Sequence, residues 1–228
     1  MFATDTSAAV RPFLVAVAGP SCAGKSELAA RLSAALGAPV IHLDSYYRDL
    51  SHMPLDARGR ANFDEPGSLD EALLLSQVAQ IARGEAVEKP VYDFTRHARA
   101  AHTQRVEPAA HLIVEGLFAL YWPDLRELYD ASIYIGAADE VCFERRIRRD
   151  IAERGRTLES VREQYEGTVR PMSERYVIPT SAYAGLVLNG EAPLAESEQR
   201  SLDYIIRATR QRTASKPLWQ AKRFEAST

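Results

Sequence analysis

One eight-residue stretch, Gly19 to Ser26, has the residue types and spacing of a phosphate-binding loop. Its sequence, Gly-Pro-Ser-Cys-Ala-Gly-Lys-Ser, fits the pattern G-x-x-x-x-G-K-[ST]. The two glycines let the backbone turn tightly, so that its N–H groups can face a phosphate. Lys25 can then reach the β- and γ-phosphates of a nucleotide, and the Ser26 hydroxyl can bind Mg²⁺. The stretch therefore predicts a nucleotide-binding site.

The segments before and after this loop have the patterns of a strand and a helix, which would hold the loop in place. The unbroken apolar run from Phe13 to Ala18 predicts a buried strand, and apolar residues at helical spacing follow from Leu28 to Leu36. The loop would thus lead from a strand into the N-terminus of a helix. A helix N-terminus adds roughly half a positive charge where a phosphate would bind.

Two further predicted strands end in acidic residues. Val40 to Leu43 is followed by Asp44, and His111 to Val114 is followed by Glu115. In open α/β sheets, ligands bind at the carboxyl ends of the strands. Asp44 is therefore a candidate for orienting or deprotonating an acceptor hydroxyl, although an Asp in this position alone is more often a turn or cap residue. Glu115 can hold Mg²⁺, directly or through water, opposite Ser26.

An arginine-rich segment lies in the second half of the chain, where six arginines fall within the twelve positions from Arg145 to Arg156. One interpretation is a solvated helix face with i,i+4 ion pairs. The other is a lid over residues 144–157 that closes on a triphosphate, because arginine is always charged and binds phosphate oxygens bidentately. Gly155 would end the helix and provide a pivot.

The alternation of apolar strands and amphipathic helices predicts an α/β fold with a mostly parallel, five-stranded sheet and helices on both faces. The fourth and fifth strands are expected at residues 131–135 and 184–188. We expect a helix that begins with a capping box of Ser68 and Glu71, and another over 158–169 that Pro171 ends. A hairpin flap over 90–107 would pair 91–94 with 103–106.

Composition narrows the class of protein. The 228 residues carry a net charge of −3 and two cysteines, which favours neither nucleic-acid binding nor a disulfide framework. No signal peptide or membrane-spanning run is seen, so we expect a cytoplasmic protein without membrane partners. We expect a single domain over 1–228, with an N-terminal extension over 1–12 and a polar tail over 211–228.

Taken together, these motifs resemble the uridine kinase family of P-loop kinases, from about Val15 to about Gly190. Besides the phosphate-binding loop, the resemblance rests on Asp44-Ser45-Tyr46-Tyr47, Asn62-Phe63-Asp64-Glu65-Pro66, Tyr92-Asp93-Phe94 with His97 and Arg99, Val114-Glu115-Gly116, Arg146 through Arg156, and Gln164-Tyr165. The resemblance implies a P-loop NTPase fold and transfer of the γ-phosphate of ATP or GTP to the 5′-hydroxyl of uridine or cytidine.

The resemblance also implies roles for individual residues. Asp44 would be the general base, with Lys25 and Arg149 as further catalytic residues. The donor nucleotide would bind to Gly19, Pro20, Ser21, Cys22, Ala23, Gly24, Lys25, Ser26 and Glu27, and to Arg149, Arg154 and Arg156. The nucleoside would bind to Asp44, Tyr47, Phe63, Asp64, Tyr92, His97, Arg146 and Gln164. Ser26 and Glu115 would place Mg²⁺, and a homo-oligomer, either tetramer or dimer, is implied.

Two alternatives stay open. The lid and the segment Glu85 to Pro90 also resemble phosphoribulokinases, in which case Arg96, Arg99 and Arg105 would bind the phosphate of a sugar phosphate acceptor. Where the uridine kinase family has an Ala-Asp pair near its last strand, this chain has Ala-Gly at 184–185. A non-catalytic, nucleotide-binding regulatory protein is the second alternative, although such a protein would be expected to lack Asp44 or the lid arginines.

Overall fold

The apolar runs form one parallel sheet in the computed structural model, which describes residues 11–59 and 61–214. The strands of the described residues are β1 (Phe13–Ala18), β2 (Val40–His42), β3 (Val87–Asp93), β4 (Ala98–Val106), β5 (His111–Glu115), β6 (Ala131–Gly136) and β7 (Leu186–Asn189). Five of them pair in the order β2-β5-β1-β6-β7, all parallel, whereas β3 and β4 form a separate antiparallel hairpin. The predicted five-stranded parallel sheet is confirmed.

Helices connect these strands and cover both faces of the sheet. The α-helices are α1 (Lys25–Leu36), α2 (Leu55–Arg58), α3 (Glu71–Ala82), α4 (Pro123–Arg126), α5 (Asp139–Arg154), α6 (Leu158–Gln164), α7 (Arg170–Met172) and α8 (Leu194–Ala214). Short 3-10 helices span Leu43–Tyr46, Pro66–Ser68 and Ile178–Tyr183, and π-helical turns span Tyr165–Val169 and Ser173–Val177.

The sequence of the central strand β1 is apolar at every position because both faces of the strand are buried. Alternate side chains point to opposite faces of a strand, and both faces of β1 are buried. Leu14, Ala16 and Ala18 belong to the core on the side of α3 and α4, whereas Phe13, Val15 and Val17 belong to the core beneath α1 and α8. A sheet covered on both faces holds the carboxyl ends of its strands rigidly at one edge.

The predicted capping box at the start of α3 is wrong. The helix begins at Glu71, and its N-cap is Asp70, whose Oδ1 accepts a hydrogen bond from Leu73 N at 3.2 Å. Ser68 instead ends the preceding 3-10 helix, and its hydroxyl donates to Glu65 O at 2.6 Å. The aspartate nearer to the helix therefore satisfies the free N–H groups of the first turn.

The predicted pairing within the hairpin is also wrong. Val87 pairs with Val106 and Asp93 pairs with Ala98, so both strands are longer than expected and only residues 94–97 lie between them. Asp93 Oδ1 accepts hydrogen bonds from the N–H groups of Thr95 and Arg96 at 2.9 and 3.2 Å. This side-chain turn closes the hairpin early, and the segment that was expected to be its basic loop lies partly in β4.

Pro171 does not end the helix that precedes it. The chain continues from α6 through one π-helical turn into α7, where Pro171 lies, and then through a second π-helical turn. Proline removes one N–H donor and clashes with the carbonyl of the preceding turn. Wider turns on both sides of Pro171 accommodate that clash without breaking the helix.

The predicted boundary of the polar tail at Gln211 is placed too early. Helix α8 continues to Ala214. Arg212 donates hydrogen bonds to Pro12 O at 3.0 Å and to Asp130 at 2.8 Å, which ties the end of α8 to the start of β1. Residues 215–228 of that tail, and residues 1–10 of the expected N-terminal extension, lie outside the described residues.

Candidate active site

The loop from Gly19 to Ser26 connects β1 to α1, as the sequence predicted. Gly19 has a φ of 152°, and a Cβ atom there would lie 2.0 Å from Ile135 O on the neighbouring strand β6. Gly24 has a φ of 106° directly before the first helical residue, Lys25. Both glycines are therefore required by backbone conformation, and at Gly19 by space as well.

Lys25, Ser26 and Glu115 meet where β5 ends beside the start of α1. Ser26 Oγ donates a hydrogen bond to Glu115 Oε1 at 3.0 Å, and Lys25 Nζ lies 4.0 Å from the same oxygen. Burial tends to raise the pKa of Glu115, but a hydrogen bond from His42, the charge of Lys25 and the bond from Ser26 together lower it. Glu115 is thus held as a buried carboxylate next to the phosphate loop.

His42 is a site residue that the sequence reasoning missed. Its Nδ1 donates to Glu115 Oε2 at 2.8 Å, so His42 and Ser26 bind the two oxygens of one carboxylate. The signal was a polar residue at the end of the otherwise apolar strand β2, two positions before Asp44. Because β2 and β5 are neighbours in the sheet and not in the sequence, the contact between His42 and Glu115 becomes visible only from the strand order.

Asp44 lies in the 3-10 turn that follows β2, on the floor of the crevice. The residue is exposed to solvent, and the desolvation of its carboxylate comes from the protein groups packed around it. This burial, together with the nearby charge of Glu115, raises the pKa of Asp44, while Lys25, His42 and a hydrogen bond with Tyr47 oppose the rise. A carboxylate with a raised pKa is a better proton acceptor than an ordinary one.

Two residues of the hairpin hold the turn that carries Asp44. Lys89, which is only 5% exposed, donates from Nζ to Ser45 Oγ at 2.8 Å. Arg99 donates from Nε to Tyr47 O at 3.0 Å and from Nη2 to Asp70 Oδ2 at 3.1 Å. The hairpin is thereby anchored to the turn of Asp44, and neither contact was anticipated from the sequence.

Four predicted nucleoside-pocket residues form an aromatic cluster beside Asp44. The ring of Tyr47 lies 5.1 Å from Phe63 and 5.3 Å from Tyr92, and Phe63 stacks on His97 at 5.2 Å. Burial and the charge of Arg58 lower the pKa of His97, which keeps its ring neutral near pH 7. Tyr92 Oη is buried and has no hydrogen-bond partner within the described part of the chain, which is uncommon for a buried hydroxyl.

The remaining residues predicted for the acceptor side are Asp64, Gln164 and Arg146, which belongs to the arginine segment. Asp64 is 9% exposed, and burial raises its pKa against the opposing charges of Arg146 and Lys25. Arg146 donates from Nη1 to Ser21 Oγ in the phosphate loop and from Nη2 to Gln164 Oε1, both at 3.1 Å. Gln164 Oε1 also accepts from Arg156.

The structure thus brings most of the predicted site residues to one crevice. Asp44, Lys25, Ser26 and Glu115 lie close together, and Asp64 is near enough to Arg146 and Lys25 for their charges to lower its pKa. Arg149 and Arg154 also act electrostatically on Asp64. Among the residues that the structure describes, no three His, Cys, Asp or Glu side chains cluster as a metal site.

Both the sequence and the fold are similar to those of known proteins. The model of the Phosphoribulokinase / Uridine kinase family matches residues 14–192. A uridine kinase of Chloroflexus aggregans is 42% identical over 182 residues, which cover 78% of this chain and 87% of that protein. A uridine kinase of Shewanella sp. strain ANA-3 is 43% identical over 182 residues, covering 77% and 86%.

Solved structures of other kinases share the fold. D-glycerate 3-kinase from Cryptococcus neoformans var. grubii superposes with a TM-score of 0.58 at 19% identity, covering 80% of this chain and 88% of that one. Phosphoribulokinase from Rhodobacter spheroides gives a TM-score of 0.56 at 17% identity, covering 81% and 74%. Within residues 11–59 and 61–214, no helix combines the length and apolar character needed to cross a membrane.

Proposed function

The chain belongs to the phosphoribulokinase/uridine kinase family, a family of phosphotransferases, and from that premise we propose that it phosphorylates a pyrimidine ribonucleoside. The γ-phosphate of ATP or GTP would pass to the 5′-hydroxyl of uridine or cytidine. The observation that carries this proposal is the aromatic cluster of Tyr47, Phe63, Tyr92 and His97 beside Asp44. Flat aromatic surfaces favour a planar base as part of the acceptor.

Two groups on the crevice floor would carry out the transfer. Asp44 is the proposed general base, because its raised pKa suits it to accept the proton of the attacking hydroxyl. Lys25, in the phosphate loop, would neutralise charge on the transferring phosphoryl group. The arginines Arg149, Arg154 and Arg156 would bind the donor phosphates from the opposite side.

The acceptor would be fixed at its sugar and at its base. Asp64, buried and facing Arg146, is proposed to accept hydrogen bonds from the ribose hydroxyls. A neutral His97 offers one donor and one acceptor nitrogen, so that it can serve either O4 of uracil or N4 of cytosine. Tyr92 Oη, which lacks a partner among the described residues, would find one on the nucleoside.

The residues around Glu115 fit Mg²⁺, which prefers oxygen ligands and usually joins one or two protein groups to substrate phosphates. Ser26 Oγ and the Glu115 carboxylate are 3.0 Å apart and next to the phosphate loop. These two residues would hold the ion, directly or through water, and His42 would orient the carboxylate. When bound, Mg²⁺ neutralises charge on the donor phosphates.

The contacts of the hairpin arginines argue against a sugar phosphate acceptor. Arg99 already binds the backbone of Tyr47 and the carboxylate of Asp70. Arg105 is paired with Glu107 at 2.6 Å and with Glu88 at 3.7 Å. Two of the three arginines that would bind an acceptor phosphate are thus engaged in structural contacts. A purely regulatory nucleotide-binding role has no specific observation in its favour.

Further parts of the proposal concern the whole protein. We propose that the chain forms one kinase domain, in which the hairpin acts as a flap and residues 144–157 act as a lid. By similarity to the family, the enzyme would work in the cytoplasm as a homo-oligomer, a tetramer or a dimer. Its partners would be small molecules, with neither nucleic acid nor membrane among them.

The role of Asp64 gives a test of the nucleoside assignment. Wild-type enzyme should use 2′-deoxyuridine with a kcat/KM about ten- to a hundredfold below that for uridine, because a buried carboxylate that loses a hydroxyl partner costs roughly 1–3 kcal/mol. Asp64→Asn should lower kcat/KM for uridine and reduce this discrimination. Steady-state kinetics with both nucleosides provide the measurement.

Asp124→Asn is the matched control for that experiment, since Asp124 is an exposed aspartate in the short helix α4. It should keep the kinetics of the wild type. Equal kcat/KM for uridine and 2′-deoxyuridine in the wild type would show that Asp64 does not bind the ribose hydroxyls.

A further inference from the structure

Asp150, one helical turn before the end of α5, is the most deeply buried acid among the described residues, with 0% of its surface exposed. Four arginine side chains surround its carboxylate. The shortest nitrogen–oxygen distances are 2.9 Å to Arg149, 3.4 Å to Arg146, 3.4 Å to Arg154 and 3.9 Å to Arg156. Burying a carboxylate is costly unless opposite charges compensate for it. The burial of Asp150 therefore depends on the arginines around it.

The local backbone explains how these arginines reach one carboxylate. Arg146 and Arg154 lie one helical turn before and after Asp150, at the i,i+4 spacing that brings side chains together. Gly155, with a φ of 62°, ends the helix and donates its N–H to Asp150 O. Arg156 N donates to the same oxygen at 3.1 Å, so the chain turns back and returns the Arg156 side chain to Asp150.

The arginines around Asp150 interact both with the phosphate loop and with the proposed acceptor side. Arg146 binds Ser21 of the phosphate loop and Gln164. Arg146, Arg149 and Arg154 all act on the charge of Asp64, on the proposed acceptor side. One buried carboxylate therefore contacts guanidinium groups that reach both the phosphate loop and the charge of Asp64.

The four contacts differ in kind. Arg149 Nε donates a hydrogen bond to Asp150 Oδ1 at 2.9 Å. Asp150 Oδ2 and Arg146 Nε lie 3.4 Å apart, yet neither has a hydrogen-bond partner within the described residues. Asp150 thus holds Arg149 by a hydrogen bond and holds the other three arginines by charge, and Gln164 Oε1 accepts further hydrogen bonds from Arg146 and Arg156.

We propose that Asp150 is a positioning residue for the arginine segment: it holds the guanidinium groups in the arrangement that the transition state of phosphoryl transfer requires. This inference rests on the proposed kinase function. Loss of the carboxylate would leave the arginines charged, so that they still attract a triphosphate, but no longer in fixed positions. Catalysis depends on groups that are preorganised for the transition state, so turnover should suffer more than donor affinity.

The test compares Asp150→Asn with Glu144→Gln, which removes the same charge from the same helix. Glu144 forms an exposed pair with Arg148 at 3.5 Å and does not touch the cluster. For each variant we would measure kcat on the acceptor that the wild type uses best, the Kd of a non-hydrolysable ATP analogue without acceptor, and the Tm. Asp150→Asn should lower kcat about ten- to a hundredfold with Kd within about threefold of the wild type, whereas Glu144→Gln should change neither.

Wild-type kcat in a folded Asp150→Asn variant would overturn the proposal, as would a Kd that weakens in proportion to kcat. If Asp150→Asn does not fold, Asp150→Glu keeps the charge and displaces the carboxylate by one methylene. It should lower kcat severalfold at unchanged Kd, and wild-type turnover in that variant would equally overturn the proposal. Failure of the wild type to use uridine would refute the acceptor assignment alone, because donor binding is measured without acceptor.

Discussion

At the scale of single residues, the chemistry of the site depends on carboxylates whose surroundings set their roles. Glu115 is tied by Ser26 and His42, which keep it ionised. Asp44 lies near Glu115, and its pKa is raised by burial and by that charge. Two neighbouring acids with oppositely shifted pKa values suit different tasks, one as a proton acceptor and one as a permanent anion.

Replacing Asp44 tests the proposed base. Asp44→Asn keeps the shape of the side chain but cannot accept a proton, so kcat should fall by about 10²–10⁴ with little change in nucleotide affinity. Steady-state kinetics and calorimetric titration with an ATP analogue give the two quantities. If kcat were retained while nucleotide affinity collapsed, Asp44 would be a structural or metal-binding residue.

The pH profile follows from the same residue. Protonated Asp44 cannot act as a base, so kcat of the wild type should fall as the pH drops through its pKa. Because burial and Glu115 raise that pKa above the ordinary 3.8, the acid limb should lie above pH 3.8. The residual activity of Asp44→Asn should lack this limb, and an identical limb in both proteins would assign it to another group.

The sequence predicted roles for the residues of the phosphate loop and for the acids that follow strands, but it assigned no role to His42 or to Asp150, although Asp150 lies within the arginine segment. Asp44, Lys25, Ser26 and Glu115 follow strands or belong to the phosphate loop, so position in the sequence was enough to identify them. His42 and Asp150 act through partners far away in the sequence or on other turns of a helix. Such contacts exist only once the strands are ordered and the chain after Gly155 has turned back.

At the scale of elements, the arginine segment is a regular helix whose interior anchor is charged. Apart from Cys142, the buried residues of α5 are Arg146 and Asp150. The sequence of the arginine segment has no apolar face that would fix the helix to the core. The sequence is therefore compatible both with a solvated helix and with a lid. A segment anchored by ion pairs can respond to added phosphate charge more readily than one anchored by apolar packing.

Hydrogen exchange tests the proposed lid. Amides from Arg145 to Arg156 should exchange more slowly when a non-hydrolysable ATP analogue and uridine are both bound, because closure would exclude water from the phosphoryl group. Peptides from the second half of α8 serve as the internal control and should not change. Identical exchange of 145–156 in the free and bound protein would show that this helix is not a lid.

Elements were predictable where one local pattern decides them. Apolar runs were enough to predict the five strands of the sheet. The register of the hairpin, in contrast, is set by the hydrogen bonds of the Asp93 side chain in the turn. Pro171 was read as a helix end, yet π-helical turns absorb it. These failures share a cause, since each depends on a specific hydrogen-bonding alternative that average residue preferences do not reveal.

At the scale of the whole molecule, the fold alone does not choose the acceptor. A glycerate kinase and a phosphoribulokinase share it at less than 20% identity, and one fold commonly supports several substrates. The choice of acceptor therefore has to rest on individual side chains. In this chain an aromatic cluster with His97 lies beside the turn of Asp44, and Arg99 and Arg105 are engaged elsewhere.

The most direct test of the central claim is the ratio of kcat/KM for uridine to kcat/KM for ribulose 5-phosphate, measured in one coupled assay with ATP and Mg²⁺. Uridine and cytidine should be phosphorylated far better than the sugar phosphate. His97→Ala should weaken nucleoside turnover and leave nucleotide affinity intact, because His97 is proposed to bind the base and is not part of the phosphate loop. A kcat/KM that favours ribulose 5-phosphate over uridine would contradict the account.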